Sequence, residues 1–255
     1  MAATAGVSTL LELRQLRPEH LFQLLAEEEA VWQQDMHWDF RPSAELVRRF
    51  LGLQALNGHA LCLRDEVIGY AYFVCEDYKG VIGDLYVRAQ HRAPELEARL
   101  LEATVRTLLA VPHMRRLESQ LMLMSPESQS PLPFPDRGRA FPRDYMVAPP
   151  LAPVSLAGRP GDGKVRIEGW QDGFTQQAAR LIAEGYAGHV DADINDQYRS
   201  EAGARRFLHN IVQYPGCGSF FPPASMAAFD RDTGRMTGLC LTSLIAFDTG
   251  HVTQV

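Results

Sequence analysis

The densest run of polar side chains in the sequence is Gly188-His189-Val190-Asp191-Ala192-Asp193-Ile194-Asn195-Asp196-Gln197-Tyr198. Carboxylate and amide oxygens at alternating positions are what a calcium loop needs, because a hard cation takes oxygen ligands. Asp191, Asp193 and Asn195 match the start of such a loop. Asp196 stands where the glycine of the sharp turn belongs, and Ala202 where the bidentate glutamate should be, so calcium is rejected. A solvated helix-capping loop and a substrate-facing loop both remain open for this stretch. His251 adds a group that titrates near neutral pH; a buried, hydrogen-bonded histidine is the other reading of it. His59 with Cys62 and His209 with Cys217 have no second pair at zinc spacing, so no metal is expected. Neither G-x-G-x-x-G nor G-x-x-x-x-G-K-[ST] occurs, which leaves dinucleotide and P-loop readings unsupported.

The chain of 255 residues is long enough for one large domain or two small ones, and 46% hydrophobic residues provide for two cores. A net charge of −6 gives no reason to expect nucleic acid. Cys62, Cys75, Cys217 and Cys240 are far apart and read as small buried hydrophobes in a reducing compartment. Residues 1–10 lack the basic start and apolar run of a signal peptide, and no stretch has the ~18 apolar residues of a membrane span. The cytoplasm is the expected location.

These residues must be positioned by elements that the periodicity outlines. Leu11 to Leu16 alternates as a half-buried strand. Pro18 starts a helix through Leu21, Leu24 and Leu25, and Ser43 caps a second with Leu46, Val47, Phe50 and Leu51 on one face. Strands follow at His59–Leu63, Val67–Cys75 and Val81–Val87, then a helix over Pro94–Leu109 and a strand over Leu117–Met124. Ser125 to Arg143 is proline-rich and reads as a loop; Tyr145-Met146-Val147 reads as a closing strand. Leu151 to Lys164 reads as a linker. A second pass begins at Val165–Trp170. It has helices over Phe174–Tyr186 and after Ser200, a hairpin of Ser225–Phe229 with Met236–Ile245, and a strand over His251–Val255. Both passes run strand, helix, helix, strand, strand, strand. Arg48-Arg49-Phe50 and Arg205-Arg206-Phe207 fall in the second helix of each.

This order, with Asp84-Leu85-Tyr86-Val87 closing the fourth strand, resembles the GCN5-related N-acetyltransferase (GNAT) superfamily. The resemblance implies an α/β fold of two tandem GNAT-like units, each a mixed central sheet flanked by helices. Residues 1–150 would form the first unit, 151–164 the linker and 165–255 the first part of a second unit that stops at its fourth strand. The architecture is similar to that of the tandem protein mycothiol synthase. In this family a Q/R-x-x-G-x-G/A loop and the helix after it hold the pyrophosphate of coenzyme A on backbone N–H groups. The matching segment is Gln90-His91-Arg92-Ala93-Pro94-Glu95. Gln90 fits. Ala93 and Glu95 replace glycines, Pro94 removes a donor, and Glu95 and Glu97 put negative charge where a phosphate would sit. The first unit is therefore expected to have lost normal coenzyme binding, with Val87, Gln90, His91 and Arg92 as the remnant of the site.

The resemblance implies transfer of an acyl group from acetyl-CoA to an amine of a small molecule or peptide, with the chemistry in the complete second unit. It expects the chain alone to be inactive. Asp84 stands where some members carry an acid; a polar residue on a solvent-facing strand position is the alternative. Val252-Thr253-Gln254-Val255 aligns with Ile82-Gly83-Asp84-Leu85, which makes Gln254 the counterpart of Asp84. Gln254 would orient an acceptor or a water, and His251 would lie on the opposite face if the strand alternates regularly. The resemblance places the stretch from Gly188 to Tyr198 along the acceptor groove. Asp191, Asp193, Asn195 and Tyr198 would then bind substrate. The same junction in the first unit, Trp32 to Phe40, is read as packing. A non-catalytic GNAT-fold scaffold or small-molecule-binding pseudoenzyme is the rival expectation.

Overall fold

The computed structural model describes residues 8–125, 127, 132–149, 163–214 and 216–255. It divides into two compact units, Met1–Gln33 with Phe40–Arg143 and Gln34–Asp39 with Asp144–Val255. The segment read as a linker lies outside the described residues apart from Gly163 and Lys164.

Unit 1 is built on a sheet of β1 (Thr9–Glu12), β2 (Asn57–Leu63), β3 (Glu66–Glu76), β4 (Lys79–Val87) and β5 (Arg116–Ser119), in that order. The first four strands are antiparallel neighbours, and β5 runs parallel to β4. Helices α1 (Phe22–Met36), α2 (Arg41–Gly52) and α3 (Pro94–Leu109) complete it. In α3 the buried residues Glu97, Leu100, Leu101, Thr104 and Leu108 recur at three- and four-residue steps. Its leucines pack on Ile68, Ala71, Phe73, Leu85 and Val87. Each fully buried leucine contributes roughly 1.5–3 kcal/mol. In α1 the stripe is Leu24, Leu25, Glu28 and Trp32.

Several local readings change. The first strand ends at Glu12, and a 3₁₀ turn at Leu13–Gln15 follows. That turn brings Leu13 and Leu16, three apart, into the core. Ser43 lies inside α2, whose N-cap is Phe40, because Pro42 sits in the first turn, where its missing N–H costs nothing. The strand expected over Leu117–Met124 is only Arg116–Ser119. No strand forms at Tyr145–Val147. Only Cys62 of the four cysteines is buried, and Cys75 is exposed.

Unit 2 has a sheet of β6 (Val165–Gly169), β8 (Met226–Asp230), β9 (Met236–Ala246) and β10 (Thr249–Gln254), in the order β10-β9-β8-β6, with the short β7 (Ser219–Phe220) also on β9. Its helices are α4 (Thr175–Gly185), α5 (Val190–Ile194) and α6 (Glu201–Gln213). Ser200 caps α6 as expected, its hydroxyl accepting from Gly203 N–H at 3.1 Å. Ala178, Ala179 and Ile182 of α4 and Ala204, Leu208 and Ile211 of α6 pack on Leu239 and Leu241 of β9. Strand, helices and three antiparallel strands thus recur in both units. The repeat extends to an irregularity. The pairing of β4 with β3 slips between Ile82 and Asp84, and that of β10 with β9 slips between Val252 and Gln254. Gly83 and Thr253 are the extra residues of two bulges, at the positions that the sequence alignment equates.

Candidate functional site

The bulges decide where the aligned polar residues point. In unit 1, Ile82 pairs with Phe73 and belongs to the core under α3. Regular alternation would put Asp84 on that same face. The extra residue Gly83 turns it over, so Asp84 pairs with Tyr72 and Tyr86 with Tyr70 on the opposite face. There Asp84 is buried, which removes the solvent-facing alternative.

Asp84 meets Glu28, a fully buried acid of α1. The Tyr70 hydroxyl donates to Glu28 Oε2 at 2.9 Å, and the Leu85 N–H donates to Asp84 Oδ1 at 2.8 Å. Glu28 also takes a hydrogen bond from the Trp32 side chain, and its carboxyl is hydrogen-bonded to Asp84. Burial, then the neighbouring Asp84, pushes Glu28 well above the usual carboxylate range. Burial raises Asp84 to about 6, against hydrogen bonds from Glu28 and Leu85 N–H that favour its charged form. The pair holds one proton at neutral pH, with protonated Glu28 donating to the Asp84 carboxylate. Glu28 was readable only as an acid inside the apolar stripe Leu21, Leu24, Leu25, Trp32.

The segment matched to the coenzyme loop joins β4 to α3. Val87 is fully buried in the core, and Ala89–His91 forms a 3₁₀ turn. Several N–H groups of this segment bond within the unit. Arg88 donates to Ile68 O, His91 to Arg88 O, Arg92 to Ala89 O, and Leu96 and Glu97 to Ala93 O. The Ala89 N–H donates to Glu27 Oε1 at 2.6 Å. The Glu27 carboxylate also accepts from the Tyr86 hydroxyl at 3.0 Å and from Arg88 Nε at 2.9 Å. Burial would raise its pKa, but the bonds from Ala89, Arg88 and Tyr86 outweigh that and hold it below the usual range. Glu97, in the first turn of α3, is 1% exposed and accepts the Ser125 hydroxyl at 2.6 Å and N–H at 3.1 Å. Arg92 lies 3.7 Å from Glu97 and over the Tyr86 ring. The Gln90 side chain is exposed and the His91 side chain partly so. A pyrophosphate fits poorly at a loop whose Ala89 N–H and Arg88 guanidinium already serve Glu27 and whose helix start holds a buried glutamate.

In unit 2 the bulge at Thr253 has the same effect. Leu241 and Ser243 point to the buried side of β9; Gln254 pairs with the first and His251 with the second. His251 and Gln254 therefore share a face, contrary to the expectation from regular alternation. Gln254 is 4% exposed. Its Oε1 accepts the Tyr198 hydroxyl at 3.0 Å, and its Nε2 donates to the Tyr186 hydroxyl at 2.9 Å. The two tyrosine rings stack at 4.4 Å and 10°. One glutamine thus fixes both rings by using its donor and its acceptor. His251 leans on Trp38, ring centroids 5.3 Å apart, and its Nδ1 is buried without a partner among the described residues. Burial lowers its pKa, against a hydrogen bond to the Cys217 backbone that raises it, so the ring is neutral at pH 7.

Tyr186 and Tyr198 line a cavity of about 270 Å³, together with His189, Ala192, Asp193 and Arg199. Arg199 donates through Nη2 to Asp193 at 3.0 Å and through Nε to Ala192 O at 2.5 Å. Of the residues expected to bind substrate, Asp193 and Tyr198 face this cavity. Asp191 and Asn195 do not. The Asp191 N–H is bound by His189 Nδ1 at 3.2 Å, and Asn195 Oδ1 caps the turn at Gln197 N–H at 3.0 Å. Tyr186, the C-cap of α4, is a site residue that the sequence marks only as the end of a helix. In unit 1, Trp32 and Phe40 are buried and stacked at 5.0 Å, as a packing role requires. Among the described residues no cluster of three or more His, Cys, Asp or Glu could hold a metal, and no helix is long and apolar enough to cross a membrane.

No protein-family model matches the sequence, and no curated protein does. Solved structures do. A GCN5-related N-acetyltransferase from Sphaerobacter thermophilus aligns over 95% of this chain and 73% of its own, with a TM-score of 0.52 and 16% identity. A possible acetyltransferase from Clostridium difficile 630 aligns over 57% of this chain and 99% of its own, with a TM-score of 0.38 and 8% identity. A ribosomal-protein-alanine N-acetyltransferase from Brucella melitensis biovar Abortus 2308 aligns over 56% and 99%, at 0.35 and 18%. The last two scores are too low to bear on the assignment. The first, with the bulged fourth strands and the mixed sheet, shows that this chain has the GCN5-related N-acetyltransferase fold.

Proposed function

We propose that the protein is an acyltransferase of the GNAT type, in which an acetyl group from acetyl-CoA passes to an amine of a small molecule or peptide. In this reading the two units act in tandem, in the manner of mycothiol synthase, in the cytoplasm, and the acceptor is received by unit 2. Fold alone does not choose a substrate. The observation that carries the reading is the Tyr186–Tyr198–Gln254 cluster at the wall of the cavity. Stacked phenol rings beside a carboxylate suit an amine, through cation–π attraction and charge. Gln254 positions both hydroxyls, and Asp193 and Tyr198 contact the acceptor. The neutral His251 imidazole on the same face can take a proton at Nδ1. Asp84 serves unit 1 as a buried structural acid.

The test is thiol release by the full-length protein with acetyl-CoA and a panel of amines. Turnover is expected with at least one acceptor. Gln254→Ala and Tyr198→Phe are expected to lower it by about 10- to 100-fold, in line with positioned proton-handling groups. Absence of turnover with every amine would sink the reading. A binding module without turnover is the second reading, favoured by the closed β4–α3 loop of unit 1. Saturable amine binding without thiol release would decide for it.

A further inference from the structure

We propose that Glu27 and Glu97 are tethered anions that engage the Ala89 N–H and the Arg88 and Arg92 guanidinium groups of the β4–α3 segment in unit 1, making it an internal latch and not a ligand-binding loop. The inference is independent of whether unit 2 catalyses. It rests on where the Ala89 N–H and the Arg88 and Arg92 guanidinium groups go. A loop that receives a diphosphate presents main-chain N–H groups and guanidinium groups to a vacant concavity. Here the Ala89 N–H, Arg88 Nε and Tyr86 hydroxyl all converge on one carboxylate, delivered by Glu27 from α1. Arg88 also pairs with Glu66. A second carboxylate, Glu97, takes the Ser125 N–H and hydroxyl, with Arg92 beside it. Pro94 has no N–H, and the N–H groups of Arg88, His91, Arg92, Leu96 and Glu97 bond to carbonyls within the unit. Glu27 and Glu66 on Arg88, and Glu97 beside Arg92, thus set carboxyl groups of the chain itself against both guanidinium groups.

The arrangement has a mechanical consequence. Glu27 ties the end of β4 to α1, and Glu97 ties the start of α3 to the segment after β5. A ligand would have to displace carboxylates that are covalently part of the unit, at the effective concentration of an intramolecular group.

Peptide-resolved hydrogen–deuterium exchange on the full chain tests this, with coenzyme A and inorganic pyrophosphate as probes. Exchange over residues 88–97 is expected to be unchanged by millimolar coenzyme A or pyrophosphate. Glu27→Ala is expected to speed exchange in the peptide containing Ala89 by at least about tenfold. Glu27→Gln keeps an acceptor oxygen, so it is expected to retain most of the protection even if the alanine variant folds poorly. Protection of residues 88–97 by either probe in the wild type would overturn the proposal. So would unaltered exchange at Ala89 in a folded Glu27→Ala protein.

Discussion

Above about pH 6 the wild type is expected to lose stability steadily, by up to ~1.4 kcal/mol per pH unit, until Glu28 ionises in the folded state, whereas Glu28→Gln stays nearly flat. The cause is the buried pair of Glu28 and Asp84, faced by Tyr70 and Tyr72 of β3, Tyr86 of β4 and Trp32 of α1, with no cation among the groups acting on it. Both carboxyls have folded pKa values raised above their unfolded ones, 4.5 for Glu28 and 3.8 for Asp84. The folded state therefore binds more protons than the unfolded state. Stability is fully present below the unfolded values and is lost as pH rises through the folded ones. The pair titrates as a unit. The Asp84 part of the loss accrues from its unfolded value up to about 6, and the Glu28 part continues above that until Glu28 gives up its proton inside the core. Glutamine removes only the Glu28 part, because its amide donates to Asp84 and its oxygen still accepts from Tyr70. Chemical denaturation at several pH values, read as the difference between the two proteins, measures it. Parallel slopes above pH 6 would show that the two carboxyls do not share a proton. Glu28→Ala should cost on the order of 3 kcal/mol at neutral pH, since it strands the Asp84 carboxylate and the Tyr70 hydroxyl and opens a cavity.

Gly58→Ala is the other substitution with a large expected effect, a loss of roughly 3 kcal/mol or more. Gly58 sits in the same row of the sheet as the acid pair, opposite Tyr72, which in turn is opposite Asp84. Its φ is +151°, a conformation open to glycine and strained for any other residue. A Cβ there would lie 2.1 Å from the Ala71 carbonyl oxygen and 2.7 Å from the Tyr72 Cα, both main-chain atoms that cannot step aside. The matching substitution at Gly83 meets only the Tyr72 ring, at 2.2 Å, so Tyr72→Ala should relieve Gly83→Ala and leave Gly58→Ala unrelieved. Urea unfolding of the two single and two double variants separates these cases. Equal relief at both sites would mean that the Gly58 conformation is not the constraint.

The periodic pattern located nearly every element, and the repeated order of strands and helices was legible because each pass uses the same apolar spacing. The departures of this loop from the family pattern were legible too, since Pro94 carries no N–H and Glu97 adds a carboxyl to the helix start. The errors came where one local geometry competes with another. Leu13 and Leu16 fit a strand or a 3₁₀ turn equally well by burial, and packing chose the turn.

Residue type and order by themselves determined the fold class and the pairing of Asp84 with Gln254 as counterparts. Only the tertiary structure decided which way those counterparts face. A bulge adds one residue without changing composition or hydropathy, yet it reverses every side chain beyond it relative to the strand before. Gly83 thereby delivers Asp84 to Glu28, and Thr253 brings Gln254 to the face of His251. The partners themselves, Glu28 to Asp84 and Tyr186 to Gln254, are 56 and 68 positions apart, and only folding brings them within hydrogen-bonding distance.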